Sequence, residues 1–377
     1  MAAASCRSRL GFNRDPRGPD RIQTDMRYKL LGNSGLRVSE LCLGTMTFGE
    51  DWGWGSSSDD SRKIYDAFLE AGGNFIDTAN VYTNGTSERL LGDFMGGDRQ
   101  RIVLATKYTN AMSAAGDPNA AGNHRKSMIQ SVEASLKRLK TDYIDLYWLH
   151  IWDFMTPIEE VMRGFDDLIR AGKILYAGIS DAPAWVVSRA NTIAELRGWS
   201  RFIGLQIEYS LIERTPEREL LPMARTMDLA VAAWSPLASG VLTGKYAQEA
   251  KSGERRRLQD RSAEGLVRMD DRKRAVADSV VSIAKEVGRS PAQVALNWLL
   301  RQPGTIIPII GARHLPQVQD NLASIEFTLS PEHIERLNQA SAIELGFPHD
   351  FYSRELVRNL VYGGLRDQID APREARP

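Results

Sequence analysis

Four side chains in the first half of the sequence are of the types that deliver a proton to a carbonyl oxygen. Asp77 and Tyr82 lie five residues apart, Lys107 follows one apolar run, and His150 follows another. A carbonyl that accepts a hydride develops negative charge on its oxygen, so a donor must protonate it. These residues therefore indicate a reduction in which a hydride and a proton are added to a C=O group.

Each of the four residues has a distinct expected role. A tyrosine has a pKa of about 10 and is a poor acid at neutral pH unless its surroundings adjust that value. We expect Tyr82 to be the acid and the Lys107 ammonium to lower its pKa by favouring the phenolate. Asp77 would hold Lys107 charged and in position. His150 would hydrogen-bond the carbonyl oxygen or share the proton with Tyr82.

The elements that must position these residues alternate along the chain from Met26 onward. Eight runs of four to seven residues are mostly apolar without strict alternation, which is typical of parallel strands buried on both faces. The predicted strands are Ser39–Leu43, Asn74–Asp77, Ile102–Thr106, Tyr143–Leu149, Ile174–Gly178, Leu205–Glu208, Leu229–Trp234 and Ile306–Ile309. The helices predicted between them include Asp60–Ala71, Lys126–Leu139, Pro157–Ala171, Ala184–Arg197, Arg218–Met227 and Pro291–Arg301.

Alternating strands and helices predict a parallel sheet, which is either open or closed. No G-x-G-x-x-G motif follows an early strand, so the sequence lacks the main mark of an open, doubly wound dinucleotide-binding sheet. We therefore predict an α/β fold, a single (β/α)8 TIM barrel with long loops at its C-terminal face. Arg27–Leu31 and Arg37–Val38 flank four turn-forming residues and predict an N-terminal β-hairpin that closes the bottom of the barrel.

Active-site residues of such barrels lie at the C-terminal ends of the strands. The residues at these ends are Asp77, Lys107, His150, Ser180 with Asp181, Gln206, Trp234, and Gly311 to Arg313. Taken singly, a buried histidine is more often structural, and a lysine such as Lys107 or Lys245 is often only solvated. Coincidence at so many strand ends is much less expected, so the pattern favours an active site.

Seven motifs place the sequence in a known superfamily. FIDTANVY, ATKY, DLYWLH, YAGISD, LQIEYSL, AAWSPL and IPIIGARHLPQVQDNL occur in that order, and together they resemble the aldo-keto reductases along Met26–Leu329. GNHRKSM, HIWDF and ISDAPAW are most similar to the aryl-alcohol dehydrogenase-like branch, which includes fungal polyketide ketoreductases. The resemblance implies that Asp77, Tyr82, Lys107 and His150 form the catalytic tetrad of a carbonyl reductase.

The resemblance also implies a site for NADP(H). Ser180, Asp181 and Gln206 would hydrogen-bond the nicotinamide carboxamide, although many members carry Asn at the position of Asp181. Trp234 would stack on the nicotinamide ring, and Arg313 would meet the 2′-phosphate, since a guanidinium presents several donors at once. The other residues expected around the cofactor are Gly44, Thr45, Met46 and Gly311, the backbone of Ser235, Pro236, Leu237, Ser239 and Gly240 with Lys245 at the pyrophosphate, and Gln317, Asp320 and Asn321 at the adenosine.

Aromatic residues near the strand ends are candidates for the substrate site. They are Phe48, Trp52, Trp54, Tyr108, Trp152 and Phe154, with Met46 beside them. Such a density of rings suits a planar or ring-bearing carbonyl compound, with aryl aldehydes expected first and sugar-derived or polyketide ketones next. Ordinary packing at the barrel rim is the alternative explanation for about half of them. The tail Phe347–Leu365 would set specificity if it folded over the mouth.

Two other classes of protein remain open at this point. Lys107 at a strand end would suit a Schiff-base aldolase, but Trp234, Arg313 and the residues Gln317–Asn321 would then have no role. The second alternative is a cofactor-binding regulatory subunit with little turnover. Gly240–Tyr246 has three residues between its glycines and ends in Tyr, so it does not match a P-loop.

Composition narrows the range of partners and compartments. The 48 Lys and Arg residues equal the 48 Asp and Glu residues, which gives no support for a nucleic-acid partner. No apolar run is long enough for a membrane span, and no His or Cys pair has convincing metal-ligand spacing. Only two cysteines occur, which favours a reducing, cytoplasmic compartment. A homo-oligomer is compatible with the sequence but nothing in it indicates one directly.

The sequence divides into three parts. Residues 1–25 are expected to be a disordered extension or the product of an upstream start codon, with a transit peptide as the less favoured alternative. Residues 26–340 form the predicted barrel, and residues 341–377 form a tail that would cover the active site. Two stretches exceed ordinary loops, Tyr108–Asn123 and the segment from Ser239 to about Asp271, whose charge run Lys251–Arg257 is expected to be a solvated surface.

Overall fold

The computed structural model of the chain describes residues 26–112, 116–245 and 270–370. Two short strands, β1 (Tyr28–Leu30) and β2 (Arg37–Ser39), pair antiparallel. Eight parallel strands follow and close into a barrel in which β10 lies beside β3: β3 (Cys42–Gly44), β4 (Phe75–Asp77), β5 (Val103–Tyr108), β6 (Ile144–Leu149), β7 (Ile174–Ser180), β8 (Phe202–Glu208), β9 (Ala230–Trp234) and β10 (Ile306–Gly311). The predicted (β/α)8 barrel, its hairpin and all eight strands are confirmed.

Helices surround the barrel. The described ones are α1 (Ser58–Glu70), α2 (Thr86–Met95), α3 (Arg125–Leu139), α4 (Ile158–Arg170), α5 (Ala184–Arg197), α6 (Leu220–Thr226), α7 (Asp271–Val287), α8 (Pro291–Leu300), α9 (Leu315–Leu322), α10 (Pro331–Ala340), α11 (His349–Tyr352) and α12 (Glu355–Tyr362). The six predicted helices are α1, α3, α4, α5, α6 and α8. Ser290 accepts from the backbone of Gln293 while the Gln293 side chain reaches back, so a capping box starts α8.

Large and small side chains alternate inside the barrel beneath its mouth. Trp148 is fully buried, and the ring faces the backbones of Gly178 and Gly204. A Cβ added at Gly178 would lie 2.3 Å from this ring, and one at Gly204 would lie 2.9 Å from it. Leu31 and Val38 of the hairpin belong to the same buried cluster, so the hairpin closes the bottom of the barrel as predicted.

Some sequence predictions fall outside the described residues. These are the extension 1–25, the charge run Lys251–Arg257 and most of the long segment after Ser239, and residues 371–377 of the tail. Of the described helices, none combines the length and apolar character that a bilayer span requires. Within the described ranges, no group of three or more His, Cys, Asp or Glu side chains is arranged to hold a metal ion.

Candidate active site

The strands aim the candidate catalytic side chains into the barrel. Alternate residues of a strand face the same side of the sheet. Asp77 lies two residues after Phe75, and Lys107 lies two residues after Ala105; both of these apolar residues belong to the barrel-interior cluster. Gly44, Asp77 and Ala105 are register partners on neighbouring strands. The inward positions at the carboxyl ends of the strands therefore lie at the mouth of the barrel.

Lys107 is the centre of the site. Its side chain is fully buried, and its Nζ donates to Asp77 Oδ2 at 2.5 Å, to the Thr78 carbonyl at 2.7 Å and to the Tyr82 hydroxyl at 3.1 Å. An ammonium has three donors, so each has an acceptor. Burial by itself would lower the pKa of Lys107, but Asp77 and Tyr82 outweigh burial and raise it. Lys107 therefore stays charged and fixed in place.

Tyr82 begins a short 3-10 turn, Tyr82–Gly85, on the loop that follows β4 (Phe75–Asp77). Burial raises the pKa of its phenol, and the charge of Lys107 lowers it by a smaller amount, so the net shift is upward. The predicted effect of Lys107 on the pKa of Tyr82 is confirmed in its direction, but the sequence did not indicate that burial would raise this pKa by more. Removal of water from around the phenol changes the pKa of Tyr82 by more than the charge of Lys107 does. Tyr82 keeps its proton at neutral pH and has it available to donate.

His150 completes the group of four. Its ring lies edge-on to the Tyr82 ring, with 6.1 Å between the centroids. Burial, assisted by the charge of Lys107, lowers the pKa of His150 to about 3, so the imidazole is neutral. Its Nδ1 lies 3.2 Å from the side-chain amide nitrogen of Asn110. When Asn110 donates this bond, Nδ1 is an acceptor and the proton of His150 lies on Nε2.

Sequence reasoning missed Asn110. It lies inside the long stretch Tyr108–Asn123, which we interpreted only as a loop shaping the mouth. One signal was available, because Asn110 is polar and lies two residues after β5, the strand that carries Lys107.

Of the residues expected at the carboxamide, Gln206 contacts the tetrad and Asp181 contacts Trp234. Gln206 Nε2 donates to Asp77 Oδ1 at 3.0 Å, so both oxygens of Asp77 are hydrogen-bonded. Asp181 Oδ1 accepts from the indole Nε1 of Trp234 at 3.0 Å. Burial raises the pKa of the Asp181 carboxyl, and the hydrogen bond from Trp234 opposes this shift. Ser180 Oγ is buried and makes no hydrogen bond of normal geometry with another described residue.

The backbone after β9 is held in an uncommon conformation. Ser235, Ala238 and Ser239 have φ values of 50°, 47° and 54°, and Gly240 follows at 91°. Non-glycine residues rarely adopt positive φ, and such positions cluster at functional sites. Pro236 and Leu237 lie within this turn, and Lys245, at the end of a described range, is exposed.

The residues expected at the far end of the cofactor lie around the start of α9. Arg313 N donates to Gln317 Oε1 at 2.8 Å, and Asn321 Nδ2 lies 3.4 Å from the Gly311 carbonyl. Asp320 accepts from Ser290 Oγ at 2.9 Å and from the side chain of Gln293, so it ties α9 to α8. At the near end, Gly44 is paired with Asp77, Thr45 Oγ1 donates to the Asp77 carbonyl at 3.1 Å, and Met46 is half-buried.

The six aromatic candidates for the substrate site fall into three pairs by location. Trp52 lies beside Tyr82, with 6.5 Å between the ring centroids, and Trp54 packs against Trp52. Trp152 is buried and Phe154 is 70% exposed, both in the stretch after β6. Phe48 and Tyr108 are corrections to the predicted substrate site, as described next.

Phe48 and Tyr108 lie in the apolar layer outside the barrel wall. Both are fully buried: Phe48 packs against Phe94 of α2, and Tyr108 stacks on Tyr147 and contacts Phe165 of α4. Tyr108 directly follows the inward-facing Lys107, and a strand turns successive side chains to opposite faces. The structure therefore separates these two rings from the mouth.

Comparison with known proteins identifies the class that this fold and site define. Residues 40–342 match the model of the aldo/keto reductase family, and the chain belongs to that family. It is 39% identical to a norsolorinic acid reductase of Emericella nidulans over 84% of this chain and 82% of that protein. It is 37% identical to an NADP(+) aryl-alcohol dehydrogenase of Phanerodontia chrysosporium over 93% of this chain and 95% of that protein. These relatives place it in the aryl-alcohol dehydrogenase-like branch.

Proposed function

We propose that this protein reduces an aldehyde or ketone to an alcohol, reversibly, with NADPH as the cofactor. The observation that carries the proposal is the buried Lys107 ammonium, which joins Asp77 to the Tyr82 hydroxyl. The hydride comes from NADPH when that cofactor is bound. Tyr82 donates its proton to the carbonyl oxygen, and Lys107 stabilises the phenolate that remains. The neutral His150, with its proton on Nε2, hydrogen-bonds the same oxygen.

The donor set of the mouth fits a nicotinamide cofactor. The buried hydroxyl of Ser180 has a donor and acceptor to offer to a carboxamide. Trp234 is fixed by its bond to Asp181 and presents a flat surface to a ring. Arg313 forms no ion pair with another described residue and would bind a 2′-phosphate. We infer from this arginine that NADPH is preferred over NADH.

The state of Lys107 argues against the aldolase alternative. Schiff-base formation needs a neutral amine, which enzymes obtain by lowering the pKa of a lysine. Here the pKa of Lys107 is raised and all three donors are engaged. The amine would have to lose a proton and leave three partners before it attacked a carbonyl carbon.

For the substrate we propose an aromatic carbonyl compound, with a cytoplasmic site of action. Trp52 and Trp54 beside Tyr82 offer ring surfaces next to the proton donor. The relatives are named for an aryl alcohol and for norsolorinic acid. Aryl aldehydes come first, and larger polyketide or sugar-derived ketones come next.

The test measures NADPH and NADH oxidation with a panel of aromatic aldehydes, quinones and keto sugars. We expect turnover that prefers NADPH and a fall in kcat of about 10²- to 10⁴-fold in Tyr82→Phe, the range that a general acid contributes. Tyr108→Phe is the matched control, because it also removes a tyrosine hydroxyl but lies outside the barrel wall. Cofactor binding without turnover on any carbonyl would instead support a regulatory subunit, and failure to bind either cofactor would overturn the proposal.

A further inference from the structure

The C-terminal segment, residues 347–370, leaves the barrel near the stretch that follows β8. Glu344 O accepts from the Arg218 guanidinium at 2.8 Å, and His349 Nε2 lies 3.5 Å from Glu219 Oε1. Beyond this attachment, α11 and α12 bury none of their residues against the parts of the chain that the structure describes. Among the described residues, the segment therefore leaves the side chains of α11 and α12 at least partly open to solvent.

The exposed surface of this segment is strongly apolar. Leu356, Val357, Leu360 and Val361 lie at helix positions that share one face of α12. Leu356 is 71% exposed and Leu360 is 74% exposed. The large apolar side chains of the segment with high exposure are Phe347, Phe351, Tyr352, Leu356, Leu360, Val361, Tyr362, Leu365 and Ile369. A concentration of exposed apolar side chains of this kind is typical of an interaction surface.

A helix of this length does not persist in water without a packing partner. Isolated helices shorter than about 12 residues are marginal even for favourable sequences, because nucleation costs more than a few hydrogen bonds return. The helix α12 has eight residues, two of them β-branched valines. Its stability must therefore come from the burial of its apolar face.

We propose that this face is covered by the same segment of a second copy of the chain, so that the protein is a homodimer joined through residues 347–370. The four aromatic side chains among the nine, of about 150–250 Å² each and between 41% and 84% exposed, offer roughly 350–550 Å², and the five aliphatic side chains add to this area. A standard interface needs about 800 Å² from each partner. An isologous pair also places identical faces together, which suits a helix with one apolar stripe.

The charges of the segment favour a second copy over a lipid surface. The segment contains nearly equal numbers of basic and acidic side chains. The three arginines are Arg354, Arg358 and Arg366, and the four acidic residues are Asp350, Glu355, Asp367 and Asp370. Helices that bind anionic membranes carry a surplus of Lys and Arg on the polar face. The near balance here neither repels an identical segment nor attracts an anionic bilayer.

The test is the mass in solution of the full-length protein, measured by light scattering and by sedimentation over a range of concentrations. We expect the wild type at twice 42.1 kDa. The double variant Leu356→Glu with Leu360→Glu should be a monomer with unchanged far-ultraviolet circular dichroism of the barrel. Leu196→Glu is the control, because Leu196 is 80% exposed but lies at the end of α5, at the opposite end of the barrel from the mouth. This control should remain a dimer.

Several outcomes would overturn the proposal. A double variant that remains a dimer shows that the interface lies elsewhere. A monomeric wild type whose KM for the carbonyl compound changes in the double variant shows that the segment closes over its own mouth. A monomeric wild type that co-sediments with vesicles of phosphatidylcholine and phosphatidylserine shows that the face binds lipid. A monomer whose unfolding temperature falls in the double variant, but not in the control, shows that another part of the same chain covers α12.

Discussion

Two lysines at opposite ends of the barrel, the fully buried Lys107 and the half-buried Lys29, differ in how firmly they hold their charge. At the mouth, Lys107 touches the Asp77 carboxylate at 2.5 Å, and its pKa is raised. At the bottom, Lys29 Nζ donates to the Ile306 carbonyl at 2.8 Å, and burial lowers its pKa although Glu40 acts in the opposite direction. A carboxylate in direct contact therefore outweighs desolvation, whereas a more distant one does not.

This difference corresponds to the different roles that we assign to the charges of Lys107 and Lys29. In the proposed reaction Lys107 has to remain an ammonium while the neighbouring phenol of Tyr82 loses its proton, and contact with the Asp77 carboxylate holds that charge. Lys29 only bridges the hairpin to β10, and a neutral amine would serve that purpose equally well. The opposite directions of the two pKa shifts are thus consistent with a functional role for Lys107 and a structural one for Lys29.

The largest expected effect is that of Lys107→Met. It removes the charge that stabilises the Tyr82 phenolate and leaves Asp77 buried without its cation. We expect kcat to fall by about 10²- to 10⁴-fold and the free energy of unfolding to fall by about 3–5 kcal/mol, as for other broken buried pairs. Activity assays and urea unfolding measure the two losses.

Lys29→Met is the matched control for Lys107→Met, because it makes the same substitution at the other end of the barrel. It removes one hydrogen bond to a backbone carbonyl and should cost about 1 kcal/mol of stability. Activity should stay near that of the wild type. Equal losses in the two variants would show that contact with Asp77 gives Lys107 no special role.

The sequence predicted which residues lie near the mouth of the barrel better than it predicted their pKa values. Asp77, Tyr82, Lys107 and His150 were identifiable because each follows a strand or lies on the loop that leaves one, and strand ends converge in a barrel. Period-two alternation also implied that Tyr108, next to Lys107, faces outward. We placed Tyr108 at the mouth because its aromatic character was weighed without its register, so that error was avoidable.

The remaining features depended on distances that a linear pattern does not contain. The net pKa shift of Tyr82 results from burial opposed by one ammonium, and only the packed structure shows which effect is larger. The partnership of Asn110 with His150 joins two loops whose spacing has no regular period. The exposure of α12 is seen only in the structure, although the apolar residues that share one face of this helix are visible in the sequence.

A smaller effect is expected at Asn110, the uncharged hydrogen-bond partner of His150. We expect this neutral partner to determine which ring nitrogen of His150 carries the proton. His150 is neutral above a pH of about 3, so kcat/KM of the wild type should show no histidine transition between about pH 5 and 8. In Asn110→Asp, a carboxylate beside Nδ1 would raise the pKa of His150 and move the neutral tautomer's proton to Nδ1. We expect kcat/KM to fall by about tenfold at neutral pH, since Nε2 no longer donates, and to recover as the pH is lowered.

Asn110→Ala controls for the loss of the amide without adding a charge. It should lower kcat/KM moderately and leave the pH profile flat. A transition near the ordinary histidine pKa in the wild type would show that His150 is less desolvated than its position implies. The assignment of the proton to Nε2 would then lose its basis.

The smallest expected effect concerns the stability that each lysine contributes as the pH rises. The folded-state pKa of Lys29 is lowered, so between that value and about 10.4 the unfolded chain binds more protons than the folded chain. The wild type should therefore gain stability relative to Lys29→Met as the pH increases through this window. Lys107 has a raised pKa, so its contribution should remain complete over the same range and decline only above it. Urea unfolding of the wild type and both methionine variants from about pH 7 to 10 measures the two slopes. A stability difference for Lys29 that stays constant or narrows would mean that Glu40 holds its ammonium as Asp77 holds Lys107, and the contrast between the two ends of the barrel would disappear.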